Sequence, residues 1–117
     1  MKIQKSKIFA DITGEQAVVR FLLGSVREMS EVQKIMDEIE EVAYNYKVTV
    51  LVLNFAKLRQ VTSAFLGRLI ALNKALQQAG IALRVCCMSP EVTEAFRICK
   101  LQKLIPVYDS EDKALAG

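Results

Sequence analysis

Val48-Thr49-Val50-Leu51-Val52-Leu53-Asn54-Phe55 runs into the polar segment Ala56-Lys57-Leu58-Arg59-Gln60-Val61, and then into Thr62-Ser63-Ala64-Phe65-Leu66-Gly67. The first part is continuously apolar and β-branched. Bounded by polar residues, such a run suits a strand buried on both faces, and we place it at the centre of a sheet. Thr62 or Ser63 can cap a second helix, expected at about 63–79. Phe65, Leu69, Leu72 and Leu76 give that helix one apolar stripe, widened by Leu66 and Ile70. Gly80 is its C-terminal stop. Gly67 falls in its second turn, where glycine costs about 1 kcal/mol against alanine. A close neighbouring backbone is the expected reason for keeping it.

Upstream, Lys7 to Ile12 and Gln16 to Leu22 flank Thr13-Gly14-Glu15 and read as a β-hairpin. Gly24-Ser25 ends the second strand. Val32, Ile35, Ile39, Val42 and Tyr46 then recur at helical spacing. Ser30 with Gln33 forms a capping box, which sets the helix start near residue 31. Glu31, Asp37, Glu38, Glu40 and Glu41 are expected on its solvated side, with Lys47 at its end. Downstream, Ile81 to Met88 is a further strand. Ser89-Pro90-Glu91 opens a third helix with Val92, Ala95, Phe96 and Cys99 on its buried face. Leu104 to Tyr108 is a short edge strand, with Pro106 in it. Ser110-Glu111-Asp112 begins a short last helix.

The order is β-β-α-β-α-β-α-β-α. It predicts an α/β fold with a mixed sheet of four to five strands, opened by a hairpin and accompanied by about four helices. With 117 residues, residues 1–117 are expected to form one domain. Apolar residues are 52% and charged residues 25%, a globular balance.

Composition also excludes chemistry. The net charge is +3 and the basic residues are scattered, with only Lys57, Arg59 and Arg68 loosely grouped. No direct nucleic-acid interface is expected. There is no His, which removes Ser-His and Cys-His nucleophile pairs and the commonest metal ligand. No Gly-rich phosphate loop is present, and neither a cofactor nor a metal is expected. Cys86, Cys87 and Cys99 form no CxxC pair and read as reduced core thiols of a cytoplasmic protein. On a strand, Cys86 and Cys87 alternate across the sheet, so at most one is exposed. Neither a signal peptide nor a membrane span is read, so direct membrane contact is not expected.

Residues 52–67 resemble the STAS domain family, as in bacterial anti-sigma factor antagonists. Val52-Leu53-Asn54-Phe55 is similar to that family's VLNL or VLDL strand. Thr62-Ser63-Ala64-Phe65-Leu66-Gly67 stands at its D-S-S-G-L-G motif. Val85-Cys86-Cys87-Met88-Ser89-Pro90-Glu91-Val92 is similar to its strand followed by S-P-x-V. Leu101-Gln102-Lys103-Leu104-Ile105, Tyr108-Asp109-Ser110 and Ala114-Leu115 are similar to its ending. The resemblance covers nearly the whole chain.

It implies a non-enzymatic interaction switch. The partner would be an anti-sigma factor that is also a serine kinase, and the partner would bind ATP. The unphosphorylated form binds that partner, and phosphorylation at Ser63 releases it. Thr62 stands where the family has Asp and is an alternative acceptor. Ala64 and Phe65 replace the second Ser and the following Gly. The loop Gly24-Ser25-Val26-Arg27 lacks the acid of the family's G-x-L-D. The resemblance implies a partner face of Gly24, Ser25, Arg59, Thr62, Ser63, Ala64, Phe65 and Gly67. Phe65 itself reads either as core stripe or as an exposed anchor. Asn54 reads as a structural hydrogen bonder that orients the following loop. The alternative function is a constitutive binding subunit of a transport or signalling assembly, without phosphorylation. A Ser63 nucleophile lacks any acid–base partner. A phospho-receiver domain would need an Asp where Asn54 stands.

Overall fold

A computed structural model of the chain describes residues 1–117. Six strands form one sheet in the order β1-β2-β3-β4-β5-β6. They are β1 Lys2–Gln4, β2 Ile8–Thr13, β3 Gln16–Phe21, β4 Val50–Asn54, β5 Ala82–Cys86 and β6 Val107–Tyr108. The first two pairings are antiparallel and the remaining three parallel. The hairpin is β2–β3, with Thr13 opposite Gln16. The α/β class, the mixed sheet and the four helices agree with expectation, but the strand count of four to five is corrected to six. The additional strand is β1. Three residues with a single half-buried apolar side chain, Ile3, carry no readable alternation.

The helices are α1 Met29–Asn45, α2 Ser63–Gln78, α3 Pro90–Ile98 and α4 Glu111–Ala116. A short 3₁₀ turn, Leu101–Lys103, links α3 to β6. Three helices begin as their sequences dictate. Thr62 Oγ1 accepts from the Phe65 N–H at 3.1 Å, Ser89 Oγ from Val92 at 3.2 Å and Ser110 Oγ from Lys113 at 3.2 Å. The start of α1 differs from the capping-box reading. Its cap position is Glu28, without a side-chain cap bond, and Ser30 lies inside the first turn. Helix α2 stops where Gly80 takes φ of 78°, a conformation that costs glycine little.

One face of the sheet carries the main core. Leu51 and Leu53 of β4, Val19 and Phe21 of β3, and Leu83 and Val85 of β5 pack with α1, α2 and α3 residues in a single cluster. The opposite face holds a smaller cluster of Val18, Val52, Cys86 and Ala114, covered by α4. Strand β4 thus lies between β3 and β5 with apolar residues on both faces, as its unbroken hydrophobicity requires.

Two expectations about α1 and α3 are corrected. Glu38 is 8% exposed and does not face solvent. Its carboxylate accepts from the Ser6 hydroxyl at 2.6 Å, the Ser6 N–H at 3.2 Å and the Lys7 N–H at 3.1 Å. It closes the β1–β2 turn onto α1, where Lys5–Glu41 and Lys7–Glu31 ion pairs join it. Cys99 is exposed, not part of the α3 buried face, because it follows the last helical residue.

Candidate functional site

The C-terminal ends of the parallel strands are where an open α/β sheet places its loops for binding. Beneath that end lies an aromatic cluster. Phe21 ends β3, Phe55 follows β4, Phe65 sits in the first turn of α2 and Phe96 on α3. Their ring centroids are 5.1 to 6.2 Å apart in edge-to-face contacts. Phe65 is fully buried there. The core-stripe reading therefore holds for Phe65, and its place on a partner face is corrected. Its position three residues after the cap turns the ring inward, against Phe21 and Phe55.

Two loops sit above this cluster and are tied together. The Gly24 carbonyl accepts from the Arg59 N–H at 2.7 Å and the Gln60 N–H at 3.4 Å. Ser25 and Gln60 form a parallel bridge, and Arg27 Nη2 donates to Gln60 Oε1 at 2.9 Å. Buried Val26 and Leu58 anchor the two loops from below. Gly24, Ser25 and Arg59, far apart in sequence, thus meet beside the start of α2. Arg59, Ser63 and Gly67 are exposed, and Ser25, Thr62 and Ala64 are half-buried. Thr62 is the helix cap, whereas Ser63 is the first helical residue. A Cβ built on Gly67 meets no atom within 4 Å. The expected close neighbour of Gly67 does not exist within this chain.

Beside Thr62 opens a cleft of about 440 Å³ lined by Val26, Arg27, Gln60, Val61, Thr62, Glu91 and Ala95. Of these, only Thr62 is among the expected site residues. Glu91 carries a sequence signal only as an acid in the first turn of α3, and nothing local says that α3 meets the loop after β3. The recess offers a guanidinium, a carboxylate and a hydroxyl to a docking side chain. No group of three or more His, Cys, Asp and Glu side chains converges anywhere in the structure.

Asn54 fixes the loop from its other end. Its Oδ1 accepts from the Ala56 N–H at 2.8 Å, and its Nδ2 donates to Glu111 Oε2 at 2.5 Å. Arg20 donates two bonds to the same carboxylate, each 2.8 Å. These bonds, Arg20 first and Asn54 after it, hold the Glu111 carboxyl below its ordinary range against the opposing effect of burial. The same bond raises the Arg20 guanidinium. The structural role expected of Asn54 is thus what its bonds show.

A family model described as STAS domain matches residues 28–114. Among solved structures, the chain is similar to an anti-sigma factor antagonist from Mycobacterium paratuberculosis. The TM-score is 0.80 at 20% identity, over 93% of this chain and 90% of that one. It is similar to the anti-sigma factor antagonist SpoIIAA in its unphosphorylated form, with a TM-score of 0.74 at 22% identity over 92% of each chain. It is also similar to a sulfate transporter family protein from Wolinella succinogenes. There the TM-score is 0.70 at 14% identity, over 91% of this chain and 86% of that one. No curated protein matches the chain. At these identities the structural likenesses speak for the fold.

Proposed function

Because the chain belongs to the STAS domain family, we propose that it is a regulatory interaction switch of the anti-sigma factor antagonist type. In this reading it is not an enzyme and needs no cofactor. It works in the cytoplasm and binds an anti-sigma factor that doubles as a serine kinase. Unphosphorylated chain binds that partner, and phosphate on Ser63 releases it. No helix of the chain is long and apolar enough to cross a membrane.

The observation that carries the reading is the division of labour between two adjacent hydroxyls. Thr62 Oγ1 is engaged as the helix cap, whereas Ser63 stands exposed on the first helical residue. Ser63 is therefore the acceptor in this reading, in preference to Thr62. A phosphate there adds about −1.5 to −2 charge and three acceptor oxygens. The unpaired N–H groups and dipole at the start of α2 favour that charge by about 0.3–1 kcal/mol, so α2 need not melt. On the partner's side, a desolvated or like-charged contact at the same point can cost several kcal/mol. Each 1.4 kcal/mol is about tenfold in affinity. The partner face in this reading is Gly24, Ser25, Arg59, Thr62, Ser63, Ala64 and Gly67, with the adjoining cleft as its recess.

The absence of the family's acid and second serine, at Thr62 and Ala64, favours the second reading, a constitutive binding subunit of a transport or signalling assembly. Phosphosite mapping of the protein from its own host, growing and stressed, separates the two. The switch requires a condition-dependent phosphate on Ser63, and loss of the co-purifying partner in Ser63→Asp. A partner held in fixed stoichiometry, indifferent to Ser63→Asp and with no phosphate in either state, establishes the subunit instead.

A further inference from the structure

Adjacent residues on a strand point to opposite faces, which would keep the two neighbouring thiols apart. The structure does otherwise. Strand β5 ends at Cys86, and Cys87 takes φ of 63°, left-handed and uncommon for a residue with a side chain. That turn swings the Cys87 side chain back to the side of Cys86. The Cys87 thiol donates to Cys86 Sγ at 3.5 Å, and both belong to the small cluster beneath α4. Cys86 is buried and Cys87 half-exposed, so one thiol is reachable and its neighbour is shielded.

The peptide bond between them is itself structural. Its carbonyl, on Cys86, accepts from the Phe55 N–H at 3.0 Å, at the root of the loop after β4. Its N–H, on Cys87, donates to the Tyr108 carbonyl at 3.2 Å, at the end of β6.

We propose that Cys86 and Cys87 form a reversible thiol–disulfide site for small-molecule disulfides, and that closing it turns the intervening peptide and releases the Phe55 amide. The Cys87 thiolate attacks one sulfur of a low-molecular-weight disulfide and expels one thiolate, which takes up a proton. That proton comes from Cys86, whose thiolate attacks Cys87 Sγ and expels the second thiolate, which solvent protonates. Two protein thiols are oxidised to one disulfide, and one small disulfide is reduced to two thiols. The order follows from access. Cys87 is half-exposed and meets an incoming disulfide first, whereas buried Cys86 can reach only the sulfur beside it, so Cys86 resolves rather than initiates.

Reversibility follows from ring size. Consecutive Cα atoms are about 3.8 Å apart across a trans peptide, below the ~4.4–6.8 Å usual for a disulfide. The closed ring is strained, which makes it oxidising and easily reduced, as labile disulfides are. It also cannot keep the open-state orientation of the peptide bond inside it. Closure of this thiol pair involves neither Ser63 nor a phosphate.

Glutathione disulfide is the probe. The full chain is equilibrated with it, alkylated and cut with trypsin. Cleavage after Arg84 and Arg97 puts Cys86 and Cys87 in one peptide and exposed Cys99 in the next. The expected peptide of residues 85–97 is lighter by two hydrogens, resists alkylation and recovers both thiols with a reductant. Phe55 amide exchange in the oxidised protein is expected to rise by roughly an order of magnitude. In Cys87→Ser the same peptide is expected to stay unmodified while Cys99 still reacts. The site is overturned if both thiols remain alkylatable at concentrations that block Cys99, or if Cys87 stops at a mixed disulfide. A closed disulfide with unchanged Phe55 exchange overturns the coupling.

Discussion

Asn54 Nδ2 donates to Glu111 Oε2 at 2.5 Å, across 57 positions of sequence. The other end of the same amide holds the Ala56 N–H. One side chain thus connects the C-terminal helix to the loop that leads into the candidate site. Replacing Glu111 removes the acceptor of Asn54 Nδ2, whereas replacing Asn54 leaves the carboxylate its two Arg20 bonds.

Asn54→Ala is expected to destabilise by about 1–2 kcal/mol, through loss of both bonds at a half-buried position. The resulting loop is expected to exchange its Ala56 amide faster. Urea unfolding and amide exchange check the two effects separately.

The same network sets a pH dependence. Arg20, and then Asn54, hold the Glu111 carboxyl below its ordinary value. A depressed carboxyl stabilises the fold above the unfolded-state value, near ~4.3, and that contribution is lost as pH falls through the lower folded-state value. Wild type is therefore expected to exceed Glu111→Gln by about 0.5–1 kcal/mol at neutral pH, kept small by the partial exposure of Arg20. The difference is expected to vanish in strong acid. A difference that grows with acidity would contradict the assignment.

Glu38→Ala removes the acceptor of three donors from Ser6 and Lys7. The expected cost is about 2 kcal/mol, well beyond a surface substitution, because bonds to a charged group are worth ~1.5–3 kcal/mol. Denaturant midpoints compared with Glu40→Ala, on the same helix, provide the measurement.

Thr62→Ala and Ser63→Ala should part company in unmodified protein. The first deletes the cap of α2 and is expected to cost about 1 kcal/mol, whereas the second is expected to lie within ~0.5 kcal/mol of wild type. Equal losses in thermal unfolding would place both hydroxyls in the cap.

Gly67→Ala is expected to stabilise the free protein by about 0.5–1 kcal/mol, since the added methyl meets open space on an exposed helix. If a partner approaches this glycine closely, the same change weakens its binding. Tm and co-purification, read together, distinguish a gain in stability from a loss of contact.

Much of this was legible in local sequence because its causes are local. The unbroken apolarity of Val50 to Leu53 requires cover on both faces. Ser89-Pro90-Glu91 and Ser110-Glu111-Asp112 are helix starts by capping chemistry alone. The spacing of Phe65, Leu69, Leu72 and Leu76 defines a buried stripe. The role of Asn54, next to a loop that needs an acceptor, could also be read from its position.

Tertiary structure decided whatever depends on partners distant in the chain. Glu38 reads as solvated by composition, and only the β1–β2 turn folding over α1 makes a buried acceptor of it. Phe65 could face either way until Phe21 and Phe55 closed around it. The recess beside Thr62 needs residues from the loops after β3 and β4 and from α3, and no periodicity encodes their meeting. Cys86 and Cys87 alternate on paper, but the left-handed turn at the end of β5 brings both sulfurs to one side. Sequence patterns fix what each segment does with its own backbone and faces. Which polar side chains become partners, and which thiols meet, is set by packing between segments far apart in the chain.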